Sequence, residues 1–171
     1  MGNTISLKNK IFYIFILCLA VFIAADDQTV VVTLLPSMVL DLGISVGELN
    51  KISWTITSYL LGFTLVMPLA GKLCDKFGYR LVLIFSMIIF SIGSLLIGIT
   101  VNLPESNYVP SKLNWLIVFR FFQAMGGGAI IPIAIASISL ILERKYWIYG
   151  FGLIGASAEA GGVIGPLWGS L

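Results

Sequence analysis

Gly71-Lys72-Leu73-Cys74-Asp75-Lys76-Phe77-Gly78-Tyr79-Arg80 is the stretch on which the reading of the fold turns. It is short and basic, and apolar sequence flanks it over residues 52–70 and 81–101. A helix needs about 20 apolar residues to cross the hydrocarbon core of a bilayer. Two spans joined by so short a connection must pack as an antiparallel pair. Gly71 lets the end of the preceding span approach a neighbour closely. Asp75 to Gly78 suit a tight turn, with Asp at its first position and Gly at its last. A generic positively charged loop accounts for the lysines and the arginine. It does not account for Gly, Asp and Gly at this spacing.

Outward from this connection the chain has the composition of a membrane protein. Of 171 residues, 58% are apolar and 11% charged, where soluble domains carry roughly 25% charge. The mean hydropathy is +1.04, and there is too little polar surface to cover a water-soluble core. The expected fold class is an all-α transmembrane bundle of five spans, over residues 11–40, 52–70, 81–101, 115–142 and 147–171. Lys8 and Lys10 ahead of residues 11–25 resemble the start of a signal peptide. Ile23, however, stands where cleavage after Ala25 would want a small residue, and apolar sequence resumes at Val30, so a retained span is expected. Met1-Gly2-Asn3-Thr4-Ile5-Ser6 fits a myristoylation pattern, but a five-span chain has no need of a lipid anchor. With the N-terminus inside, Lys8, Lys10, Lys72, Lys76, Arg80, Arg144 and Lys145 face the cytoplasm, against Lys51 and Lys112 outside. That asymmetry follows the positive-inside rule and implies a multi-pass protein of the cell membrane.

Several function classes drop out. A net charge of +2 without a Lys/Arg run gives no nucleic-acid footprint. The chain has no His, which removes imidazole catalysis and His-ligated metals. Cys18 and Cys74 read as small apolar fillers. No nucleophile–base pair, metal-ligand cluster or phosphate-binding loop is present, so neither an enzyme nor a cofactor or metal is expected.

Ionisable groups inside a span are costly and usually face a partner or a cavity. Four occur: Asp26, Asp27, Arg120 and Glu159. At about 1.5 Å rise per residue, Asp27 lies roughly 24 Å along its span from the inside, and Arg120 roughly 8 Å from the outside. Both fall in the outer half of a core about 30 Å thick, so an Asp27–Arg120 pair is geometrically allowed. Asp26 sits about 100° round the helix from Asp27, at a helix interface or near the outer headgroups. Glu159 lies roughly 18 Å into the fifth span, near the midplane, where desolvation would favour a carboxyl that holds its proton. Gly161, Gly165 and Gly169, four residues apart, form a small-residue ridge suited to close helix contact, and Pro166 removes a backbone donor within it. The first and fourth spans each hold a polar break followed by Pro, at residues 26–36 and 120–132. Such corresponding interruptions mark repeated units in transporters, although Gly126-Gly127-Gly128 equally suits tight helix contact.

Taken together, these motifs resemble the major facilitator superfamily. Gly71, Leu73, Asp75, Gly78 and Arg80 match its G-x-L-x-D-x-x-G-x-R loop between the second and third helices. Asp27-Gln28-Thr29-Val30-Val31 through Leu35-Pro36 looks like the first-helix motif of the multidrug:proton antiporter branch, particularly its 14-helix type. Arg120, Gln123 and Gly126 fit the fourth-helix pattern R-x-x-Q-G-x-G, with Ala124 in place of the first Gly. Gly161, Gly165, Pro166 and Gly169 look like the fifth-helix antiporter motif, with Gly162 counted among its variable positions and Ser170 replacing its last Gly. The resemblance implies proton-coupled efflux of small amphipathic or cationic compounds by alternating access. Asp27, Glu159, Arg120 and Asp26 are then the candidates for proton coupling and transport. It also implies a fold of two six-helix bundles, with Asp75 docking against the second. Ending at Leu171 inside a span, the chain is expected to be a truncated or partial product, inactive alone. Its expected partners are the lipid bilayer, a small-molecule substrate, protons, and the missing helices or a full-length relative. A nutrient uniporter or symporter, and a short non-transporting membrane protein that associates with a full-length relative, are the competing readings.

Overall fold

Long apolar runs with few helix breakers leave the backbone one economical way to satisfy its polar groups in lipid, which is helix. The computed structural model describes residues 6–41, 49–100 and 112–169, the side chains of 35–41 and 49–51 aside. Five long helices follow in order: α1 (Leu7–Asp41), α2 (Leu49–Phe77), α3 (Tyr79–Thr100), α4 (Lys112–Ile141) and α5 (Trp147–Gly169). A 3-10 turn, Arg144–Tyr146, leads into α5. Each long helix has the length and apolarity to cross a membrane. The myristoylation pattern apart from Ser6, most of both outer connections, and Ser170 lie outside the described residues.

The helices run further than their apolar cores. The polar break at Asp26-Asp27-Gln28-Thr29 does not interrupt α1, and two of its side chains find partners. Thr29 Oγ1 donates back to the carbonyls of Ala25 (3.3 Å) and Asp26 (3.1 Å), and Asp27 is met by α4. At 35 residues α1 is about 50 Å long, enough to extend past both faces of the hydrocarbon core.

The junction between α2 and α3 also differs from the expected loop. Helix α2 continues through Asp75 and Lys76 to Phe77, and the reversal is made at Gly78 alone. Gly78 has φ +85°, and its N–H donates to the Cys74 carbonyl at 2.8 Å. This is a left-handed C-terminal cap rather than a four-residue turn beginning at Asp75. Lys76 in the last turn favours the extra length by facing the negative end of the helix dipole. Gly71 is exposed, and a Cβ there would meet nothing within 4 Å, so among the described residues it makes no close helix contact. Among the described residues only Gly78 needs a residue that tolerates positive φ. Gly78→Val is expected to cost about 1–2 kcal/mol, and Gly78→Asn to recover part of it. Thermal unfolding in detergent reads both.

Packing gives the bundle an internal regularity. The two largest interfaces are α1 with α5 and α2 with α4. Exchanging α1 with α4 and α2 with α5 carries one pair onto the other, as expected from a repeated unit. Both crossings lay glycines on the facing backbone. Gly62 of α2 lies against the Phe121 carbonyl of α4, and a Cβ on Gly128 of α4 would stand 2.5 Å from the Phe63 carbonyl of α2. Gly161, Gly165 and Gly169 of α5 meet the carbonyls of Phe22, Asp26 and Val30 on α1. Helix α3 closes on α4 the same way, with a Cβ on Gly126 falling 2.5 Å from the Phe90 nitrogen. Helix α4 is the most enclosed of the five. Its Ile130, Ala134 and Ile138 form the main core with Leu17, Val21 and Ile154.

Candidate functional site

Glycine contacts bring α2 and α3 close against α4, and α1, held by its glycine contacts to α5, also touches α4, so that polar side chains can meet. Arg120 and Gln123, three apart on α4, share one face of that helix. Arg120 Nη1 donates to Asp27 Oδ2 at 2.9 Å and to Gln123 Oε1 at 2.7 Å. Gln123 Nε2 donates in turn to Asp27 Oδ1 at 2.8 Å and to Ser94 Oγ of α3 at 2.7 Å. Asp27, Arg120 and Gln123 thus form a closed triangle in which both carboxylate oxygens are occupied. Arg120 and Gln123 are almost wholly buried. Below the guanidinium lies the ring of Tyr59 from α2, 4.9 Å from ring centre to Cζ.

Chemically, the triangle is an ion pair locked by an amide. The Gln123 side chain accepts from the cation and donates to the anion at once, so it fixes both partners in one geometry. Arg120 remains charged at any accessible pH, whereas Asp27 can take a proton. The pair therefore has two charge states, and only the carboxylate changes between them.

The other candidates are distributed differently. Asp26 lies at the contact with α5: its backbone nitrogen and carbonyl are covered by Gly161 and Gly165, and its Oδ1 is buried without a hydrogen-bond partner among the described residues. That is the helix-interface position of the two expected for it. Glu159 lies on the exposed side of α5, apart from the triangle and not desolvated within the bundle. The reason is angular, since Glu159 is about 200° round the helix from Gly161, which packs on α1. Gly71, Asp75, Gly78 and Arg80 sit at the opposite, basic end of the helices. Gly126 packs on α3, and Gly161, Gly165 and Gly169 on α1, with Pro166 inside α5. Sequence reading missed Ser94 and Tyr59. Thr55, Ser58 and Tyr59, a polar cluster within the apolar second span and all buried, were the signal available.

Comparison with known proteins agrees with this architecture. The family model described as Major Facilitator Superfamily matches residues 17–171. The triacylglyceride transporter of Mycobacterium tuberculosis (strain H37Rv) is 35% identical over 151 residues, covering 88% of this chain and 28% of that protein. The multidrug transporter protein MdtP of Bacillus subtilis is 37% identical over 150 residues, covering 88% and 25%. A triacylglyceride transporter of Mycobacteroides abscessus is 31% identical over 170 residues, covering 99% and 31%. The chain spans about a quarter to a third of the length of the curated relatives it matches.

Proposed function

This chain belongs to the Major Facilitator Superfamily, and on that premise we propose that it forms the first helices of a proton-coupled exporter of small amphipathic or cationic compounds. Transport, rather than an enzymatic reaction, accords with the names of the matched relatives. The exporter lies in the cell membrane with its N-terminus in the cytoplasm, and the chain works with the helices of a complete transporter. The observation that carries the reading is the buried triangle of Asp27, Arg120 and Gln123.

In the deprotonated state Asp27 holds Arg120 and ties α1 to α4. A proton arriving on Asp27 cancels its charge, loosens the ion pair and lets the two helices shift. When the proton leaves, the pair re-forms, and one cycle couples proton movement to helix movement. A cationic cargo is attracted to the same carboxylate, so cargo and proton compete. Glu159, on the open face of α5, adds a second carboxylate to the pathway once further helices cover it.

The test is ethidium accumulation in cells expressing the complete gene product. Asp27→Asn is expected to raise accumulation to the level of cells lacking the protein. Dye exclusion equal to wild type would sink the coupling role of Asp27. Net inward movement of cargo, with protons or without them, would favour a nutrient symporter or uniporter instead. A second cargo class, neutral lipid, is favoured by the triacylglyceride transporters among the relatives. Triacylglyceride export without ethidium export would select it.

A further inference from the structure

The charge state of Asp27 leaves a problem for its partner. Arg120 is 2% exposed and keeps its charge. While Asp27 is ionised, the carboxylate answers that charge. Once Asp27 is protonated, the buried guanidinium's hydrogen-bond and ring contacts among the described residues are all neutral: the protonated carboxyl, Gln123 Oε1 and the face of the Tyr59 ring. An aromatic face attracts a cation through its quadrupole, and the attraction is larger for a desolvated cation without a counter-ion. The ring therefore stabilises the protonated state more than the ion-paired one.

Tyr59 is placed for this by packing. It is 3% exposed, and its ring stacks on Phe63 with centroids 6.0 Å apart. Its hydroxyl extends beside Gly127, where a Cβ would come within 3.4 Å of the oxygen. That buried hydroxyl has no hydrogen-bond partner among the described residues. What Tyr59 presents to the site is its ring face, set in place by contacts that do not involve the hydroxyl.

We propose that Tyr59 is a positioning residue whose ring holds Arg120 in place when Asp27 takes up a proton, and so sets how readily the site is protonated. The proposal rests on the reading of Asp27 as the proton acceptor. The groups around Asp27 are Asp26 beside it on α1, Arg120 and Gln123 on α4, Ser94 on α3 and Tyr59 on α2, while Glu159 of α5 faces away. Substitutions at Tyr59 leave every charged member of that set unchanged.

The experiment is a pH titration of the purified complete gene product by infrared difference spectroscopy, reading the carbonyl band of a protonated carboxyl. Its loss in Asp27→Asn assigns the band to Asp27. Tyr59→Phe keeps the ring and is expected to keep the midpoint. Tyr59→Leu removes the ring and is expected to move the midpoint toward acid by about tenfold in proton concentration. Tyr59→Met, of similar bulk without an aromatic face, is expected to shift like Leu and serves if Leu does not fold. A midpoint unchanged in Leu and Met overturns the proposal, and so does an equal shift in Phe, which would assign the effect to the hydroxyl. A band that survives Asp27→Asn refutes instead the reading of Asp27 as proton acceptor, and the role of Tyr59 falls with it.

Discussion

Asp27→Asn lowers the stability of the detergent-solubilised protein more than Arg120→Gln does, and the double variant loses less than the sum of the two. This is the expected result, and it follows from which partner can shed its charge. Asn in place of Asp27 can still hydrogen-bond, but it strands a guanidinium that is buried and cannot deprotonate. Leaving a buried charge without its partner costs about 3–5 kcal/mol. In Arg120→Gln the survivor is Asp27, which can become neutral by taking a proton and still has the Gln123 donor. Its loss is nearer the roughly 1–3 kcal/mol of an unsatisfied polar group. Hydrogen bonds between membrane helices average only about 0.6 kcal/mol in double-mutant cycles, so a loss of several kcal/mol identifies charge, not hydrogen bonding, as the dominant effect. Thermal unfolding of the four proteins checks the ordering. Strictly additive losses would mean that the pair is not energetically coupled.

The second large effect is expected at Gly165. A Cβ there would run into Thr29 Oγ1 and stand 2.6 Å from the Asp26 carbonyl and 3.1 Å from the Val30 nitrogen. Two of these three atoms are backbone, so no rotamer change makes room and α1 must move away from α5. Overpacking of this kind costs about 1–3 kcal/mol, occasionally more, and Gly165→Leu should fall at the upper end. The displaced segment of α1 is the one that carries Asp27, so the coupling proposed for that residue should fall with stability. Gly165→Ala combined with Thr29→Ala should recover only part of the loss, because the Asp26 carbonyl stays. Full recovery in that double variant, measured by the same unfolding assay, would mean that the threonine side chain alone sets the constraint.

Much of this was legible in the sequence because lipid restricts the choices. Apolar run length gave the five helices, and rise per residue put Asp27 and Arg120 at one depth. The spacing of Gly161, Gly165 and Gly169 marked a close-packing face, which the structure lays on α1. Other features depend on rotation about a helix axis, which depth does not fix. Tyr59 and Ser94 reach the triangle only because of how α2 and α3 are turned against α4. Glu159 has the depth of a buried carboxylate but the wrong angle to enter the bundle. The connection that first suggested paired spans was misread in detail for a related reason. Outside the hydrocarbon core, basic residues extend a helix as readily as they form a loop, and only Gly78 carries a backbone conformation that stops it.

The proposed coupling of proton movement to transport through Asp27 of the Asp27–Arg120–Gln123 triangle can be followed in proteoliposomes of the complete gene product, loaded with a pH-sensitive dye and challenged with tetraphenylphosphonium, a cationic amphiphile. Addition of the cation is expected to drive an opposing proton flux, abolished by Asp27→Asn and retained by Glu143→Gln at the exposed 3-10 turn. Cation movement with no proton flux, or a flux unchanged by Asp27→Asn, would contradict it.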